Sequence, residues 1–203
     1  MHTSDIAPSV CIHYEWKLDR LELVNVFLSV FVPRNSFFIL NSSIPVVLVQ
    51  GYGIASGNTQ DPRFPGGTVS MQVPFFQLKG LDLSSYFFGT LNVDISPYSF
   101  ELKDPIFSVS NIKWSEELPA ENFSFFECKI EKPSDIGRDV YSALVYWPHP
   151  STKPGFIQPE NNLEILSPFI PDLNYGDPLI LTAEKNNIFF RKWTTISIKV
   201  SNI

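Results

Sequence analysis

The chain has 203 residues, 44% of them hydrophobic and 18% charged, a globular composition that excludes a disordered chain. Eighteen Phe and 17 Pro stand against five Ala, so helix formers are scarce and a helical bundle is effectively excluded. The formal charge of −6 comes without a basic stripe, which argues against a general nucleic-acid binder but leaves room for a local anion site made of backbone amides.

Residues 1–43 hold two apolar clusters, at 10–18 and 24–40, and read as an N-terminal extension of unassigned role whose removal should leave the rest folded. The stretch 21–40 contains Glu22, Pro33, Arg34, Asn35 and Ser36, so its apolar run falls short of the roughly 20 residues a membrane span needs. Asp5, Glu15 and Asp19 lie where a signal peptide would be basic, so a secretory signal is not expected. Cys11 and Cys128 are too few for a disulfide scaffold or a four-cysteine zinc site. The expectation is a soluble cytoplasmic protein with neither membrane nor nucleic acid as partner.

Residues 44–203 read as one β domain. Residues 46–54 form a β-branched run that ends in glycines. Val69, Met71, Val73 and Phe75 alternate with polar residues and proline, which is strand period. A short helix is expected at 114–123, limited by Pro119. Alternation returns at 126–130, at 141–147, and at Ile196, Ile198 and Val200; a further strand is expected at 179–183. Breakers fall between these runs at 62–67, 96–97, 132–137, 148–155 and 168–177. Many short strands at such spacing predict an all-β sandwich or barrel, with the closed barrel preferred. Its expected core includes Val47, Leu91, Val93, Phe126, Leu144, Ile165 and Leu181.

Common catalytic motifs are missing: there is no phosphate loop, no GxSxG elbow and no HExxH helix, and His2, His13 and His149 are too scattered for a metal triad. Three features remain. GYGIASGNT at 51–59 follows a strand; its glycines let backbone amides approach an anion, or they serve a bulge and a turn. FGTLNV at 88–93 puts Thr90 and Asn92 on one strand face, where two neutral oxygens could hold a hard cation or merely face solvent. In LEILSP at 163–168, followed by LNYGD at 173–177, Glu164 sits inside an apolar strand. It there faces either a site, as a general base, or a salt-bridge partner.

Taken in this order, the three runs resemble the archaeal-type CTP-dependent riboflavin kinases, small six-stranded cradle-loop barrels, over about residues 46–185. GTLN is the most specific element. The resemblance implies that Thr90 and Asn92 bind Mg²⁺ and nucleotide phosphate. It implies that Glu164 serves as the catalytic carboxylate beside the ribityl hydroxyl, and that Gly51, Gly53, Ser56, Gly57 and Asn58 form the nucleotide-binding loop. The implied activity is transfer of a phosphoryl group from a nucleoside triphosphate, CTP in that family, to riboflavin. The alternative is a barrel that keeps the pocket and binds a nucleotide, flavin or other metabolite without transfer. It is motivated by Gln158, which stands near a histidine of the family, and by an apolar 74–88 stretch where those kinases carry a charged helix.

Overall fold

Extended segments dominate the computed structural model, which describes residues 41–193 apart from residue 136. In chain order the elements are β1 (Asn41–Val49), α1 (Thr68–Leu78), β2 (Leu91–Asp94), β3 (Tyr98–Leu102), β4 (Phe107–Ile112) and β5 (Glu121–Ser134). They continue with β6 (Gly137–Pro148), β7 (Asn162–Leu166), β8 (Pro178–Glu184) and β9 (Ile188–Lys192). The expected extension upstream of β1 and the expected strand at 196–200 lie outside the described residues. β1 already pairs with β8 from Asn41, so the anticipated domain boundary at residue 43 falls within that strand. Among the described residues no helix is long and apolar enough to cross a membrane.

The protein is mostly β, and six of its strands form a ring. The sheet runs β4-β5-β6-β7-β2-β1-β8, and an additional β5–β8 pairing joins its two arms. All ring pairings are antiparallel. The length of β5 makes closure possible. One stretch of it, from Phe123 to Phe125, pairs with β4; a later one, from Cys128 to Glu131, pairs with β8; β6 runs along its other edge.

Side chains that alternate along these strands divide two cores. Val46, Val93, Ile130, Val145, Ile165 and Leu181, one from each ring strand, meet in the interior and are at most 2% exposed. The separate β3–β9 sheet packs Ile188 and Phe190 into the same cluster. The opposite face of β5, β6 and β7 presents Phe123, Phe125, Leu144 and Leu166 to α1. There Phe76 meets Phe123 and Phe125 edge to face, with centroids 5.0 and 5.1 Å apart.

Three expectations are corrected. Residues 69–75 belong to a helix, not a strand: the side chains that go inward are Val69, Gln72 and Phe76, at helical spacing. Pro74 and the alternating apolar residues favoured a strand, but packing of Phe76 against β5 overrides them. The helix starts where Gly66 and Gly67 take φ of 77° and 92°, and its Thr68 and Val69 amides donate to the carbonyls of Ile54 and Ala55. The helix expected at 114–123 is instead an irregular segment that enters β5 at Glu121. Trp114 is drawn inward there and its indole donates to Glu121, which competes with helix formation at Pro119. Finally, Val47 is 42% exposed, because β1 turns Val46 and Leu48 into the ring. Leu91 is half-buried against the core, and the other five expected core residues are buried.

Candidate functional site

Register across the ring assembles the site. Asn92 on β2 lies directly opposite Glu164 on β7, and opposed residues of an antiparallel pair share a face. Val93 and Ile165 point into the ring, so Asn92 and Glu164 point out of it. One step beyond the Val145–Ile165 pair, Tyr146 of β6 extends the row. The 51–58 segment, the 87–90 loop, residues 114–121 and the 153–158 loop flank this row and border a cleft-like cavity of about 720 Å³.

Thr90, Asn92 and Glu164 all border that cavity, as do Gly51, Gly53, Ser56 and Asn58. Gly57 does not. It packs against the start of the helix, where a Cβ would stand 2.8 Å from the carbonyl carbon of Gly66, and its N–H donates to Ile54 O at 3.3 Å. Gly57 is thus a turn residue that sets the path of the segment beside the cavity. Gly51 is required for a different reason: a Cβ there would lie 2.6 Å from Cγ of Asn92. The absent side chain lets the backbone just after β1 pass the Asn92 carboxamide closely.

Hydrogen bonds fix the orientation of these groups. Asn92, 7% exposed, accepts at Oδ1 from Asn162 Nδ2 at 3.3 Å, and the same Nδ2 donates to Gln158 Oε1 at 2.7 Å. Glu164 Oε2 accepts from Lys153 Nζ at 3.1 Å, within an ion pair whose side chains are 11% and 15% exposed. Tyr52 links two segments at the rim of the cavity: its hydroxyl donates to Ile157 O at 3.1 Å and its ring meets Phe156 edge-on at 5.5 Å.

Sequence reasoning missed Lys153, Glu121, Tyr146 and Gln72, all of which border the cavity. Lys153 sits in a Pro- and Gly-rich stretch that looks like a solvated loop. Glu121 falls inside the expected helix, flanked by Ala120 and Asn122, with nothing local that marks it as a site residue. Glu121 is 3% exposed and accepts from Trp114 Nε1 at 2.9 Å. Burial pushes its carboxyl above the usual carboxylate range, against the opposing pull of the Trp114 hydrogen bond and the Lys153 charge. Burial also holds the Tyr146 phenol far above its ordinary value, reinforced by the charges of Glu164 and Glu121. Tyr146 is therefore a neutral donor, bonded to Gln72 Oε1 at 2.8 Å.

The raised carboxyl of Glu121 has a testable sign. The folded state binds that proton more tightly than the unfolded chain, so its contribution to stability is fully present below the ordinary carboxylate pKa. It is lost as pH rises through the folded-state value. Glu121→Gln should remove this dependence and raise the urea midpoint near neutral pH while changing it little near pH 4, a comparison made between about pH 4 and 7. A variant that is less stable than wild type at neutral pH would show that the charged form is held favourably.

The donor set decides what cation would fit. Thr90 and Asn92 offer neutral oxygens, and among the described residues no group of three or more His, Cys, Asp or Glu is placed to hold a metal. Such a pair suits Mg²⁺ that arrives with phosphate oxygens of its own, and does not suit a bare ion. The basic residues bordering the cavity are Arg63, paired with Asp61 at 2.7 Å, and Lys153. Compared with family models, with curated proteins and with solved structures, the chain matches none.

Proposed function

We propose that the chain is a riboflavin kinase-like phosphotransferase built on a six-stranded cradle-loop barrel, with a nucleoside triphosphate such as CTP as donor and riboflavin as acceptor. The observation that supports this reading best is the gathering of Thr90, Asn92, Glu164 and the 51–58 segment around one cavity. Phosphoryl transfer asks chiefly for positioning and charge neutralisation. Glu164 takes the proton of the ribityl 5′-hydroxyl, whose oxygen attacks the γ-phosphorus as the bond to the bridging oxygen breaks and the nucleoside diphosphate leaves. Thr90 and Asn92 would hold Mg²⁺, which when bound neutralises phosphate charge. Lys153 orients Glu164 and supplies an ammonium to which phosphate oxygens can turn.

A second reading is favoured by one feature of the same site. The Lys153–Glu164 pair neutralises both charges without any substrate, as would suit a barrel that binds a nucleotide, flavin or other metabolite and transfers nothing. Calorimetric titration of CTP, ATP and riboflavin, each with and without Mg²⁺, tests the two together. The kinase reading expects a nucleotide to bind only with Mg²⁺ and riboflavin to bind as well. Binding without phosphorylation would support the second reading, and binding of neither would reject the kinase reading and, for the second, a nucleotide or flavin as ligand. Asn92→Ala should weaken Mg²⁺-nucleotide binding by about tenfold or more, equivalent to about 1.4 kcal/mol, while the protein stays folded.

A further inference from the structure

We infer that Glu121 makes its part of the cavity a subsite for a small organic ammonium, a primary amine on an aromatic or apolar stem. Such a subsite requires no nucleotide, metal or flavin, and so does not depend on the proposed phosphotransfer. Four charged residues border the cavity: Arg63, Glu121, Lys153 and Glu164. Arg63 is paired with Asp61 and Lys153 with Glu164, so among the described residues Glu121 alone of the four has no ion partner.

Glu121 is 3% exposed. Its Oε1 accepts from Trp114 Nε1 at 2.9 Å. Its Oε2 has no hydrogen-bond partner among the described residues, yet it keeps accessible surface on a residue that borders the cavity. The nearby cations are engaged elsewhere. Lys153 Nζ is held by Glu164 Oε2 at 3.1 Å, and its charge reaches Glu121 without a hydrogen bond. Lys113 donates to the carbonyls of Glu116 and Leu118. A carboxylate this buried is costly unless a cation meets it, and the raised carboxyl of Glu121 registers that cost.

The surroundings narrow the class of cation. Phe64, Trp114, Leu118 and Tyr146 also border the cavity, and the Phe64 and Trp114 rings pack 5.8 Å apart. Aromatic side chains attract an ammonium and accept the apolar stem that carries it. A bare metal ion is not suited, because among the described residues no group of three or more His, Cys, Asp or Glu is placed to hold one. With Oε1 engaged by Trp114, Glu121 offers one free oxygen. That fits a single N–H of an ammonium better than the paired N–H groups of a guanidinium, which seek both oxygens of a carboxylate.

The test follows binding of benzylamine, benzyl alcohol and phenylacetate to the full-length protein by ligand-observed NMR; the three share a ring and differ in charge. Benzylamine should bind about tenfold or more tightly than either of the others at about pH 8. That preference should shrink as the pH falls to about 5, because the proton and the ammonium compete for one carboxyl. Lys153, Glu164 and Tyr146 are the other titratable groups that face Glu121 across the cavity, with Arg63 held by Asp61. Glu121→Gln should abolish the preference, and Glu160→Gln, an exposed carboxyl that does not border this cavity, should keep it. If Glu121→Gln does not fold, the pH dependence of the wild type decides. Benzylamine bound no better than benzyl alcohol, a preference that survives Glu121→Gln, or one indifferent to pH overturns the inference. Failure of the kinase reading looks different: Mg²⁺-CTP and riboflavin would not bind, while benzylamine would still bind in a Glu121-dependent way.

Discussion

Glu164→Gln is expected to lower turnover of riboflavin by about a hundredfold or more and to leave affinities for riboflavin and Mg²⁺-nucleotide within a factor of about three. The amide keeps the shape of the carboxyl and can still accept from Lys153 at the 3.1 Å position, but it cannot take the hydroxyl proton. Binding and chemistry therefore separate in this variant, and a single-turnover assay beside a titration reads both. Unchanged turnover would remove Glu164 from the reaction. Loss of binding with proportionate loss of turnover would make it a binding residue, in line with the metabolite-binding reading.

Phe76→Ala should destabilise the protein by about 3–5 kcal/mol, the range for a large aromatic deleted from a core that cannot collapse. Its ring is fully buried and packs against both Phe123 and Phe125. Gln72, one turn earlier on the same inward side of α1, borders the cavity and bonds Tyr146, so loosening the helix should also weaken ligand binding. Leu78→Ala is the internal control. That side chain is 84% exposed at the end of the same helix and its loss should be nearly neutral. Urea unfolding measures both, and a cost below about 1 kcal/mol for Phe76→Ala would mean that α1 does not seal the second core.

What could be read from the sequence follows from which forces are local. Alternation at 126–130 and 141–147 is visible because each strand sends one face into the ring, and β5 and β6 carry those residues. The helix at Thr68–Leu78 was hidden, because its buried side is defined by Phe76 meeting β5, a contact across some fifty residues. Val47 was misplaced for a related reason. In the run 46–49 every residue is apolar, so nothing local says which parity faces inward, and pairing with β2 and β8 decides it. Strand geometry predicts one face for Thr90 and Asn92, but Thr90 lies in the loop just before β2, and what the two have in common is the border of the cavity. The pairing of Asn92 with Glu164 is a matter of tertiary register. Lys153 and Glu121 acquire meaning only from what the fold sets beside them, Glu164 in one case and Trp114 in the other.

The most direct measurement is chromatography of the flavin after wild-type protein has been incubated with riboflavin, Mg²⁺ and CTP or ATP. A phosphotransferase at this site predicts flavin mononucleotide and nucleoside diphosphate in equal amounts, with no product when Mg²⁺ is chelated and almost none from Glu164→Gln. Riboflavin recovered unchanged with both nucleotides, from protein shown to be folded, would contradict it.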